Sequence, residues 1–317
     1  MDESILATAA REYPGATTHE DLDSMLAATD LDLLSICTSH RSHAPLTVDA
    51  AASDVVGIVC EKPMATGLGE ATAMLTAADQ TNTKLVIGHQ NRFATVHERA
   101  RELVEKGAIG APEAVTVRTT GGLINNGTHF IDLTRFILDD PAAKWCAAHV
   151  QRRTDRYERG FPAEDGCVGR VCFENGTRLT IETDTPDPLV PDANLIVRGR
   201  EGIIHVDYGN DLRIVTSNGI ERLAPNESRS RRLRLLDDLL DWVGENRADH
   251  RCSGEHSYAT MEIMMGLYDA VRTDQIIEFP VETRANPLEL MIASGDLPPT
   301  YPGRYDIRHP YASLRAD

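Results

Sequence analysis

The sequence predicts a two-part α/β protein: a doubly wound parallel sheet, then an α+β half built on a mostly antiparallel, open sheet. Two observations carry that expectation. Up to about residue 111, continuous apolar runs alternate with amphipathic stretches of helical period. Strands apolar on both faces belong to parallel sheets that helices cover on both sides. Beyond Pro112 strand-like runs follow one another, and Glu174-Asn175-Gly176 offers the positive φ angles of a tight hairpin turn.

In chain order, "ESILATAAREY" and "HEDLDSMLAAT" read as helices and "LDLLSICT" (31–38) as the first strand. "SHAPLTVDAAA" is a helix, "VVGIVC" (55–60) the second strand and "GEATAMLTAADQ" the next helix. "KLVIGHQ" (84–90) is a third strand, and "VHERARELVEKG" a helix closed by Gly107. The division falls near 110–113, giving parts 1–111 and 112–317. The second part opens with the strand "EAVTVRTT" and the helix "GTHFIDLTRFIL", apolar at 130, 133 and 137. Strands are then expected in "KWCAAHVQRR", "DGCVGRVCFENGTRLTIETDT" and "NLIVRGREGIIHVDYG". Helices near 231–245 and 257–272 follow, and an extended Pro- and Tyr-rich tail from Asn286.

Composition excludes several classes. With 41% hydrophobic residues in 317, the chain can bury real cores. No run approaches the roughly 18 apolar residues of a membrane span. The opening "MDESILATAAREYPG" lacks a basic and then apolar leader, so a cytoplasmic address is expected. A net charge of −17 argues against nucleic acid. The densest basic run, "RSRRLRLL" (229–236), leads into "DDLLDW" and reads as a surface helix face. Four of the 32 basic residues are Lys. Such an acidic, Arg-rich chain fits a halophile's salty cytoplasm, though a GC-rich genome explains the Arg bias equally well. The six cysteines form no CxxC and read as reduced, buried thiols, with Cys167 and Cys172 on opposite faces of one strand. His40 and His43 form an HxxH pair without an obvious third ligand, so no metal is expected.

In a doubly wound sheet, ligands sit beyond the carboxyl ends of the strands. Three such ends carry polar clusters: "CTSHRSH" (37–43), "CEKP" (60–63) and "GHQNRF" (88–93). Together with "GGLINNGTHFID" they resemble the Gfo/Idh/MocA family of NAD(P)-dependent oxidoreductases of sugars, inositols and related polyols. The resemblance runs from about residue 3 to 280 and is most specific in "EKP" and the later G-x-H-x-x-D. It implies a Rossmann-like first domain and a C-terminal domain whose open sheet face joins subunits into a homo-oligomer.

The resemblance also implies roles. Lys62 would reach nicotinamide and substrate and hydrogen-bond the reacting hydroxyl. His129 would be the general base, a role that suits an imidazole titrating near neutrality. Many members carry an aspartate four residues before that histidine. Here Asn125 holds the position and would orient the ring without supplying charge, with Asp132 as a partial substitute. Thr38, Ser39, His43, Glu61, Lys62 and Gln90 would line the NAD or NADP groove, and Arg92, Asn126 and His129 would meet the substrate. A domain of this type opens with a strand, G-x-G-x-x-G and a helix, and the chain has none of these. About 35 residues, one βαβ unit, are therefore expected to be missing, leaving an incomplete sheet. A start codon placed too late is favoured over a second chain or a decayed gene. "GLGEAT" (67–72) lacks the third glycine and reads as a decoy. A non-catalytic sugar-sensing or scaffolding relative is the alternative.

Overall fold

The computed structural model describes residues 3–306 except 159, 185–193, 208–210, 224–225, 228 and 302. Its first half comprises α1 (Glu3–Glu12), α2 (Leu22–Ala28), β1 (Leu33–Ile36), α3 (His40–Ala51), β2 (Gly57–Cys60), α4 (Leu68–Thr81) and β3 (Lys84–Ile87). A short 3-10 turn (Gln90–Phe93) and α5 (Thr95–Glu105) complete it. The three strands are parallel and adjacent in chain order. Their register aligns Ile36, Cys60 and Ile87, so the segments that follow leave the sheet side by side at one rim. Buried Ile36, Ile58, Cys60, Val86 and Ile87 explain why these runs are continuously apolar.

The second half runs through β4 (Pro112–Thr119), a π-helical turn (Gly122–Gly127), α6 (Thr128–Ile137), β5 (Ala143–Gln151), β6 (Asp155–Glu158), β7 (Phe161–Pro162), β8 (Gly166–Phe173) and β9 (Arg178–Thr183). It continues with β10 (Asn194–Gly199), β11 (Gly202–Asp207), β12 (Leu212–Thr216), β13 (Gly219–Leu223), α7 (Arg231–Val243), α8 (Gly254–Thr273), β14 (Ile277–Glu278), α9 (Pro287–Ser294) and β15 (Arg304–Asp306). Nine strands form one sheet in the order β13-β12-β11-β10-β4-β9-β8-β5-β14, antiparallel except at the β4–β9 pair. Alternation assigns its faces. Val115, Val117, Leu179, Ile181, Val197 and Ile204 are buried on the face that carries α6 and α8. Registered partners place Val168, Ile196, Ile203, Val215 and Ile220 together on the opposite, open face.

Three expectations need correction. The chain beyond Asn286 is not an extended tail at first, because Asn286 caps α9 by accepting the Leu288 and Glu289 N–H groups, with Pro287 at the first helical position. The basic run is only partly surface. Arg234 stacks 5.8 Å from the Phe93 ring and Arg231 donates to Asn91 Oδ1 at 3.2 Å, while Leu235 and Leu239 pack on Val86 and Phe93. Cys37 is exposed, unlike buried Cys60, Cys146, Cys167 and Cys252; all six thiols are free. The edge of β3 is covered by the segment before α8, where the Ile87 N–H donates to the Cys252 carbonyl at 2.9 Å. No described helix is long and apolar enough to cross a membrane.

Candidate active site

The rim formed by β1, β2 and β3 collects most of the expected residues. On the first loop Thr38 and Ser39 are exposed, and Ser42 donates to Thr38 Oγ1 at 2.7 Å. On the second, Glu61 and Lys62 are half-buried and Pro63 is buried as the chain turns away. Glu61 Oε2 accepts the Lys62 N–H at 3.3 Å and stands over Gly88, where a side chain's Cβ would come within 3.2 Å of it. Gln90, half-buried, opens the 3-10 turn of the third loop.

His43 does not line this groove. It is fully buried on the inner side of α3, with Nδ1 2.8 Å from the Pro63 carbonyl and Nε2 3.3 Å from the Thr38 carbonyl. Both ring nitrogens face main-chain oxygens, so the residue staples the first loop to the second. Arg92 is not a substrate anchor either. Its guanidinium is 0% exposed and meets Asp132 through Nε and Nη2, both at 2.8 Å. Asp140 takes two further bonds, at 2.9 and 2.8 Å. The fifth N–H goes to the Arg251 carbonyl at 3.0 Å, so a cation this deep keeps no donor for a ligand.

Opposite the rim lies the π-helical turn. It begins at Gly121 and Gly122, whose φ angles of 89° and 79° suit glycine alone. The turn presents Asn125 to Lys62: the ammonium donates to the Asn125 carbonyl at 2.9 Å and to its side-chain oxygen at 2.7 Å. Asn125 is thus the partner of Lys62, where the sequence suggested His129. Asn126, half-buried, donates to the Thr120 carbonyl at 2.7 Å.

His129 occupies the first turn of α6 at 8% exposure, with no hydrogen-bond partner for its buried Nδ1. Burial, then the neighbouring Lys62 cation and His89, hold its pKa well below that of a free imidazole. Its ring packs edge-to-face on His89, centroids 5.8 Å apart. His89 lies in "GHQNRF", and no local signal marks it as a site residue. It bridges Thr128 (3.1 Å) and Ser257 (3.2 Å), and burial lowers its pKa to about 4. Asp132 cannot substitute as the partner of His129, being committed to Arg92. Burial works against its charge, yet Arg92 and the adjacent histidine outweigh burial and hold it at about 2.

Family models match both halves: "Oxidoreductase family, NAD-binding Rossmann fold" over residues 3–89 and "Oxidoreductase family, C-terminal alpha/beta domain" over 101–282. The chain belongs to the Gfo/Idh/MocA oxidoreductase family. It is an NAD(P)-dependent dehydrogenase of that type. D-glucoside 3-dehydrogenase of Escherichia coli is 24% identical over 310 residues, covering 85% of each chain. Inositol 2-dehydrogenase of Rhizobium meliloti is 30% identical over 144 residues, 41% of this chain and 43% of the relative. The solved levoglucosan dehydrogenase, a complex with NADH and levoglucosan, superposes with a TM-score of 0.78 at 18% identity, covering 88% of each chain.

For a Gfo/Idh/MocA cofactor, the rim suits the nicotinamide end. Exposed Thr38 and Ser39 and half-buried Glu61 and Gln90 offer polar groups at aligned strand ends. The loop at Gly67 and Gly69 does not serve the pyrophosphate. Added Cβ atoms there would lie 3.0 and 3.5 Å from the Arg284 carbonyl, so this loop is packed against chain. Among the described residues no glycine-rich strand-to-helix turn of the G-x-G-x-x-G type is present.

Proposed function

We propose that the protein interconverts a secondary hydroxyl and a ketone on a sugar, inositol or related polyol, using NAD or NADP. One observation carries this reading: a rim lysine from the first half stands near enough to a buried histidine of the second for its charge to depress the histidine pKa. Lys62 would hydrogen-bond the hydroxyl oxygen and stabilise the negative charge that develops on it. His129, kept neutral by burial and by Lys62, would take the hydroxyl proton on oxidation and return it on reduction. A bound nicotinamide accepts or supplies the hydride. Thr38, Ser39, Glu61 and Gln90 would hold that end of the cofactor.

On this reading residues 1–111 serve the cofactor and supply Lys62, and 112–317 supply the rest of the substrate site. The aliphatic open face of the nine-stranded sheet would pair subunits, which mass measurement in solution would reveal. The named relatives, acting on a glucoside, an inositol or levoglucosan, support the substrate class. Following absorbance of the reduced nicotinamide across sugars, inositols and simple alcohols tests it. Turnover confined to cyclic polyhydroxylated substrates is expected. Preference for simple monohydroxy alcohols would overturn the reading.

A further inference from the structure

The start of the π-helical turn leaves three consecutive N–H groups without a preceding helical turn to accept them. Two carboxylates from the second half take all three. Gly121 and Gly122 donate to Asp184 Oδ1 at 2.8 Å and Oδ2 at 2.6 Å, and Leu123 donates to Glu164 Oε1. Each carboxylate is held in turn: Arg156 donates to Asp184 at 3.1 Å, and Tyr268 donates to fully buried Glu164 at 2.7 Å. Close packing tightens the clamp, since a Cβ at Gly121 would meet Asn126 Nδ2 at 2.7 Å. Downstream, the same turn offers Lys62 both oxygens of Asn125.

We propose that Asp184 and Glu164 are positioning residues for Lys62: by pinning the first three amides of the turn, they hold Asn125 where its two oxygens receive the ammonium. The proposal deepens the reading of Lys62 as the site lysine, but its test needs no turnover. Asn125 on the turn accepts from the ammonium, His129 on α6 and His89 on the third loop feel its charge, and Glu61 accepts the lysine's main-chain N–H. Both histidines are held neutral by burial, so neither titrates in the alkaline range where a lysine does.

The chain contains four lysines, Lys62, Lys84, Lys106 and Lys144, so isotope-labelled lysine gives a spectrum that Lys62→Arg assigns directly. Asp184→Asn leaves one carbonyl oxygen for two N–H donors, and Glu164→Gln weakens the bond to Leu123. With the turn loosened, Lys62 loses acceptors that favour its charged form, so its midpoint should fall by about half a unit to one unit in either variant. Asn125→Ala should lower it too, and adding Asp184→Asn to Asn125→Ala should produce only a smaller further fall, through the main-chain carbonyl that remains. Lys84, Lys106 and Lys144 should stay in place. A variant at Asp184 or Glu164 that melts earlier yet leaves the Lys62 midpoint unmoved would overturn the proposal. So would a full additional shift in the double variant. A catalytically irrelevant Lys62 would fail the kinetic tests without changing these titrations.

Discussion

Two cations sit at the ends of neighbouring strands and end differently. Lys62, two residues beyond β2, gives its ammonium to the two oxygens of a neutral asparagine at a half-buried rim. Arg92, beyond β3, is sealed from solvent between two carboxylates and the Arg251 carbonyl. The first cation reaches the rim and donates to a side-chain amide oxygen and a main-chain carbonyl. The second is neutralised and geometrically saturated. Buried carboxylates that take up its N–H groups mark Arg92 as a structural cation, although it leaves the sheet at the same rim as Lys62.

That contrast is sharpest in variants. Lys62→Ala and His129→Ala should each lower turnover by something like 10²- to 10⁴-fold, the range for a general acid–base group. Near-normal rates in both would end the assignment. Arg92→Ala should act on stability instead. Removing it strands Asp132 as a buried, uncompensated charge, a loss on the order of 3–5 kcal/mol. Denaturant unfolding checks this; a stable Arg92→Ala protein with selectively raised KM would restore Arg92 as a substrate anchor.

The sequence showed this difference only in part. The parallel strands, the rim and the positions of Lys62 and His129 followed from apolar runs and from local motifs. Arg92 looked equally available because its partners are not its neighbours in sequence: Asp132 and Asp140 lie about 40 and 48 residues further on, and meet it only after α6 packs. Asn125 stands one helical turn before His129 in ordinary α-helical spacing, which is why it seemed that residue's partner. The turn is π-helical there, and the altered pitch aims Asn125 at Lys62. Asp184 and Glu164 left no local signal, since each acts on backbone amides far away in the chain.

Buried histidines make stability depend on pH. Burial depresses the pKa of His89, His97 and His250 to about 4, and holds that of His129 well below its free value. Unfolded, each titrates near 6.5. As pH falls below that value the unfolded chain takes up protons that the folded chain refuses, so stability present above 6.5 is lost progressively down to 4. Each histidine contributes a slope of at most about 1.4 kcal/mol per pH unit. Asp132, held at about 2, adds to the loss only below its unfolded value near 4. Unfolding free energies measured from pH 7.5 to 4.5 should therefore fall steadily, and His97→Asn should flatten the slope by about one histidine's share. A flat profile across this window would contradict neutral buried imidazoles.

The smallest expected effect tests who owns Asn125. Asn125→Asp places an anion where an oxygen now lies 2.7 Å from Lys62 Nζ, making the rim cation resemble Arg92 with its carboxylates. The new charge favours the protonated lysine, so an alkaline limb of kcat/KM set by Lys62 should move to higher pH. His129 should follow less. It has no hydrogen bond to Asn125, and its depressed pKa comes first from burial, which the substitution leaves in place. Partial cancellation of the Lys62 cation relaxes only the second cause, so the acid limb should rise by the smaller amount. Comparing the two limbs in the same profile removes any uncertainty about absolute rates. An acid limb that moves further than the alkaline one would return Asn125 to His129 and break the pairing with Lys62.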